Sequence, residues 1–188
     1  MLANIGITNR NLGAKIDRYM QRATEANILD GKVWYSLAHA LAVELSEGSD
    51  LTLAQAASVI AHLSPKVTWK KNAQAARALV FEAKRLPGIM REPFERAIKA
   101  STADDPFDTF GPDAKKTRSF AHNICGNLED VTVDVWIARA MGVSESALKR
   151  VGIYEGIAHC FRLAGKRYGM HPAQVQAIVW IVIRGAAF

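Results

Sequence analysis

Gly111-Pro112-Asp113-Ala114-Lys115-Lys116-Thr117, followed eighteen residues after Lys116 by Asp134 in Val131-Thr132-Val133-Asp134-Val135-Trp136, is the stretch whose reading decides the fold. The lysines follow a Pro-Asp turn and open a helix over about Asp113–Cys125, with Phe120 and Ile124 on one apolar face. Gly126 closes that helix. The chain returns through a short apolar run, and Asp134 stands at the mouth of the next helix, where a carboxylate satisfies orphan N–H groups. An amine at one helix mouth and a carboxylate at another is a spacing that can do chemistry by bringing both groups to one cleft.

Outward from this stretch the pattern is helical almost throughout. Ile16, Tyr19, Met20 and Ala23 recur at i, i+3, i+4 and i+7, one apolar stripe. Trp34, Leu37, Ala38, Leu41 and Leu45 repeat it up to Gly48. Thr52 with Gln55 makes a capping box for a helix through about Leu63, which Pro65 ends. Another runs from about Trp69 to Arg85, stopped by Pro87-Gly88, and Phe94, Ala97 and Ile98 mark a short one. Ala103–Pro112, with two prolines, a glycine and three aspartates, reads as a loop. After Asp134 the spacing predicts helices over about Val135–Met141, one capped by Ser144, then Tyr154–Tyr168 closed by Gly169, and a last one with Pro172 in its first turn. Val131–Val133 alone has strand character, and three residues make no sheet. The expectation is an all-α chain of about ten short helices without internal repeats.

Composition bounds the function. At 188 residues the chain fits one domain, or one domain in two lobes. Hydrophobic residues are 49% and charged residues 22%, the balance of a soluble globular protein. The net charge of +6 is compatible with a polyanionic partner. Cys125 and Cys160 are too few for a disulfide framework or an iron–sulfur cluster, and reduced thiols point to a cytoplasmic setting. No charged-then-apolar leader opens the chain, and the longest apolar run, Val175–Ile183, is too short to span a bilayer. The five histidines (His39, His62, His122, His159 and His171) lack metal-ligand spacing and read as structural or surface residues, so neither a metal nor a cofactor is expected. There is no phosphate-cradling glycine loop and no Ser/His/Asp motif.

Two segments carry a family likeness. In Lys115-Lys116-Thr117 to Val133-Asp134 the chain resembles the helix-hairpin-helix DNA glycosylases of the endonuclease III-like superfamily, where a segment reading roughly LPGVGRKTA precedes an apolar helix and then VDTHV. Leu63-Ser64-Pro65-Lys66-Val67-Thr68-Trp69 with Asn72 is similar to that family's LSAQATD turn. Short phage-encoded proteins look similar, with SPK/Q, W, N and TVD.W in this order. The resemblance covers about residues 30 to 188 and implies a two-lobed glycosylase-like fold for the whole of 1–188, with lobes near 30–110 and 111–188 plus an N-terminal helix. It further implies double-stranded DNA as partner, in a bacterial or phage-infected cell. Lys116 falls on the Schiff-base lysine and Asp134 on the catalytic aspartate. Lys66, Trp69, Asn72, Lys70, Lys115, Arg118 and Trp136 are the implied DNA- or substrate-binding residues. Pro112 and Ala114 occupy the positions of the family's hairpin glycines, so the hairpin is degenerate and its phosphate clamp passes to Lys115, Lys116 and Arg118.

The implied chemistry is cleavage of a C1′–N bond after the base has left the stack. A carboxylate stabilises the developing positive charge and activates water or an amine. For the amine to attack it must be neutral, which the helix N-terminus and the neighbouring Lys115 favour. Alternatives remain open from the residues themselves. The scaffold can modify a base without excising it, or bind DNA or protein without turnover. Asp134 can serve as a helix cap only, Lys116 as a solvated lysine, the lysines at 66, 70 and 71 as an exposed face, and Trp69 and Trp136 as core.

Overall fold

The computed structural model describes residues 8–185. Among them every regular element is helical: α1 (Asn9–Arg22), α2 (Glu25–Glu47), α3 (Leu53–Leu63), α4 (Trp69–Glu82), α5 (Arg91–Thr102), α6 (Lys115–Ile124), α7 (Val135–Ala140), α8 (Glu145–Leu148), α9 (Ile153–Tyr168) and α10 (Pro172–Arg184), with a short 3-10 turn at Pro106–Thr109. No helix of the described residues is long and apolar enough to cross a membrane.

The helices group into two compact units. One takes the chain up to Tyr35 together with Asn127 onward, and the other is Ser36–Gly126. Helix α6 therefore belongs with the helices before it rather than with residues 111–188, because it packs on α3. The N-terminal helix α1 joins the first unit by packing on α9 and α10.

In the first unit Leu12, Ile16 and Met20 form the stripe that α1 buries. They meet Ile137, Met141, Ile157, Phe161, Ile178 and other apolar residues in one core. Gly31 on α2 lies against α10 so closely that a Cβ there would stand 2.7 Å from the backbone nitrogen of Ile178.

In the second unit α3 is the central helix. Every residue from Ala56 to Leu63 is buried, as expected of a helix packed on all sides. Helices α4, α5 and α6 and the 3-10 turn all pack against it. The capping box expected at its start is present: Thr52 accepts from the Gln55 N–H, and the Gln55 side chain accepts from the Thr52 N–H.

Two boundaries and two local details differ from expectation. Helix α4 stops at Glu82 rather than Arg85, because Ala83 turns left-handed (φ 51°) and its N–H reaches back to the Ala78 and Leu79 carbonyls. Helix α6 starts at Lys115 rather than Asp113, behind an Ala114 that offers no side-chain cap. The loop before it contains the 3-10 turn, which Asp105 caps by accepting from the Phe107 N–H. On α5 the buried residues are Ala97 and Ala100, while Ile98 is exposed. Among the described residues the apolar run Val131–Val133 forms no strand, and all three of its side chains are buried.

Candidate functional site

In the first unit the sequence-expected residues Asp134 and Trp136 lie at the start of α7. Asp134 is the N-cap, with extended backbone, and its Oδ1 accepts from the Ile137 N–H at 2.8 Å. Its Oδ2 accepts from the indole Nε1–H of Trp180 at 2.9 Å. Both donors are N–H groups, so each carboxylate oxygen acts as an acceptor, and the side chain is half-buried with its plane set by two bonds. Trp180 is itself positioned by a stack on Trp34, with centroids 6.0 Å apart and planes 15° from parallel.

Beneath this carboxylate lies a buried polar network. The Tyr154 hydroxyl donates to the Val131 carbonyl at 2.8 Å and accepts from the Val133 N–H at 3.2 Å, which ties both ends of the Val131–Val133 run to α9. Tyr35 donates to Gln176 Oε1 at 2.7 Å, and it bonds Thr132 as well. Burial pushes the Tyr35 phenol far above its ordinary value, so it stays a neutral donor.

Trp136 is 37% exposed and carries two cations. The guanidinium carbon of Arg139 is 5.5 Å from its ring centroid, and that of Arg184 is 5.1 Å away. Arg184 also lies 5.1 Å from the Trp180 centroid. Trp136 is thus a surface ring, not a core residue.

In the second unit the expected residues fall on two segments. The turn after α3 holds Ser64, Lys66 and Thr68. Lys66 is exposed and adopts φ 61°, a left-handed conformation uncommon for a residue with a side chain. Lys116 stands in the first turn of α6, half-buried. Its Nζ donates to Ser64 Oγ at 3.2 Å and lies 5.7 Å from the Phe120 ring centroid. The turn and the lysine, joined by resemblance in sequence, are therefore in hydrogen-bond contact. Lys115 and Lys70 are exposed. Arg118 donates to the Phe107 and Phe110 carbonyls at 3.2 and 3.1 Å, so its guanidinium anchors the 3-10 segment.

Trp69 and Asn72 were expected to face a cleft or the core, and they divide. Asn72 is 2% exposed, and its Oδ1 is buried without a hydrogen-bond partner. Trp69 lines a shallow pocket of about 340 Å³ with Leu37, Leu41 and Ala73, edged by the Glu44–Arg77 ion pair at 2.6 Å.

Deeper in this unit His62 is 4% exposed, stacked on Phe110 at 4.1 Å and bonded through Nε2 to Thr109 Oγ1 at 2.8 Å. The Thr109 hydroxyl already donates to the Pro106 carbonyl. Nε2 must therefore be the donor, which assigns the Nε2–H tautomer. Burial, and secondarily the charge of Arg96, push the His62 pKa down to about 4. Burial likewise pushes the Cys125 and Cys160 thiols up, and both are free. Among the described residues no group of three or more His, Cys, Asp or Glu is placed to hold a metal.

Sequence reasoning missed Trp180 as the partner of Asp134, the tyrosines beneath it, and the two arginines on Trp136. An arginine three residues after Trp136, and so on the same helical face, was a legible signal for Arg139. Nothing in the sequence pointed to Trp180, because its partner lies 46 residues away.

No curated protein and no solved structure matches the chain. The model of a family of unknown function, DUF7178, matches residues 2–187, and the chain belongs to that family.

Proposed function

We propose that the chain acts on DNA as an N-glycosylase of the helix-hairpin-helix type, with the turn Phe110–Ala114 as a degenerate hairpin. The observation that carries this reading is the Asp134 carboxylate. It is fixed by two N–H donors, one from the helix it caps and one from an indole, and an exposed tryptophan flanked by two arginines stands two residues away. A carboxylate held in place before the reaction costs no reorganisation as positive charge develops on the sugar.

In the proposed reaction the C1′–N bond of a flipped nucleotide breaks and its electron pair leaves with the base. Asp134 stabilises the cationic sugar and takes the proton of the water that adds to C1′. The Lys116 amine is the second group of the reading. It adds to the aldehyde carbon of an abasic sugar, and loss of water leaves an iminium. The contact of Lys116 with Ser64 supports this, since it holds the amine at a defined place rather than free in solvent.

Borohydride trapping on a duplex with a single abasic site tests the amine without any guess about the base. A covalent adduct that disappears in Lys116→Ala supports the lyase step, and no adduct with the wild type removes it. A screen of duplexes with modified bases tests the carboxylate. Release of a base that Asp134→Asn lowers by orders of magnitude supports excision, and undiminished release refutes the role of Asp134.

A second reading is DNA binding without turnover. It is favoured by Ala114, which starts α6 at the degenerate hairpin without a side-chain cap. It predicts salt-dependent affinity that survives loss of both Lys116 and Asp134. Base modification on the same scaffold is separated from excision by a changed base mass with the glycosidic bond intact.

A further inference from the structure

Charge on the first unit's surface is unevenly balanced. There Arg167 holds the Asp17 carboxylate at 2.7 Å. Arg139 and Arg184 are exposed and have no acidic partner among the described residues. Instead both lie over the one exposed indole of Trp136. Contact with the ring leaves N–H groups of each guanidinium available to bond an oxyanion. It also restrains two long side chains before any ligand arrives, which lowers the ordering cost of binding.

The support under these arginines is rigid. Arg184 rests on Trp180 as well as Trp136. Trp180 is stacked on Trp34, and its N–H is bonded to Asp134. One indole ring therefore separates the Arg184 charge from the carboxylate. Two uncompensated cations beside a fixed carboxylate suit an extended polyanion, with phosphates on the arginines and a sugar toward the carboxylate.

We propose that Arg139 and Arg184, layered on Trp136, form a clamp for the phosphodiester backbone of a DNA strand. The clamp seats that strand one indole's width from Asp134. This rests on the reading of the chain as a DNA enzyme and assigns the backbone-binding role to residues outside the hairpin, whose own clamp Pro112 and Ala114 have lost.

The test is fluorescence anisotropy of a fluorescein-labelled, undamaged duplex across a series of salt concentrations. Wild type and Arg139→Gln/Arg184→Gln are compared, with thermal unfolding recorded for both. Loss of two phosphate contacts lowers the slope of log affinity against log salt by about 1.8. Arg139→Lys/Arg184→Lys keeps the charge, so it restores the slope while binding more weakly than wild type. Equal slope and affinity in the glutamine variant overturn the clamp, as does a wild type that binds no duplex at low salt. Trapping on an abasic site separates this from the enzymatic reading. Intact trapping with an unchanged slope sinks the clamp alone. A lowered slope without trapping or base release leaves the clamp standing and removes the enzyme.

Discussion

Acid should loosen the second unit at His62, and the size of the effect follows from its surroundings. The ring is buried against Phe110, donates from Nε2 to Thr109, and feels the charge of Arg96. Its pKa is lowered from 6.5 to about 4. In the unfolded chain the imidazole takes a proton near 6.5, whereas in the folded chain it resists until about 4. Between those values the unfolded state binds more protons, so stability falls as pH drops through the window and is unaffected by this group above it. The full loss is about 3 kcal/mol, of which roughly 2.5 kcal/mol has accrued by about pH 4.5. Urea unfolding followed by far-ultraviolet circular dichroism measures it, with His62→Gln as the reference because an amide keeps an N–H donor and does not titrate. The variant is the less stable protein at neutral pH, having lost the stack on Phe110. The gap between the two should narrow by roughly 2.5 kcal/mol on acidification to about pH 4.5. A gap constant to within about 0.5 kcal/mol over that range would refute the argument, since it would mean that the folded His62 titrates normally.

Substitutions centred on three further positions, Gly31, Lys66 and Trp180, probe the local geometry. Gly31→Ala gains about 1 kcal/mol of helix propensity but drives a methyl into the α10 backbone at Ile178. A net loss of roughly 1–3 kcal/mol in urea unfolding is expected, and a stabilised variant would show that the two helices separate freely. At Lys66, where φ is 61°, Val should cost about 1–2 kcal/mol while Gly costs little. Equal melting temperatures for the two would exclude the left-handed turn. Trp180→Phe removes the N–H that holds Asp134 Oδ2, and a double-mutant cycle with Asp134→Ala should return a coupling of about 1 kcal/mol. A coupling near zero would mean that the bond contributes nothing in solution.

What was legible in the sequence is what local physics decides. The stripe on α1, the capping box at Thr52, the Ser144 and Asp134 caps and the Pro172 start all depend on residues within one or two helical turns, and all are present. The end of α4 was misplaced because the left-handed turn at Ala83 forms without a glycine. The grouping of α6 with α3, rather than with residues 111–188, was not legible because the helix's sequence neighbours do not reveal which distant face it packs against. The candidate site divides along the same line. Asp134 and Lys116 could be singled out as candidates by spacing together with the family likeness, but their surroundings could not. The carboxylate's second donor comes from Trp180, the network beneath it from Tyr35, Gln176 and Tyr154, and one of the two cations on Trp136 from the far end of α10. These contacts exist only once α2, α7, α9 and α10 share one core. Their arrangement also bears on which reading of Asp134 is right. A cap alone needs one carboxylate oxygen and a backbone N–H, a requirement that serine or threonine would meet equally well. The second oxygen, fixed by an indole that is itself stacked on another, goes beyond what capping α7 requires, and it is the feature that makes Asp134 worth testing as a reacting group rather than as a helix start.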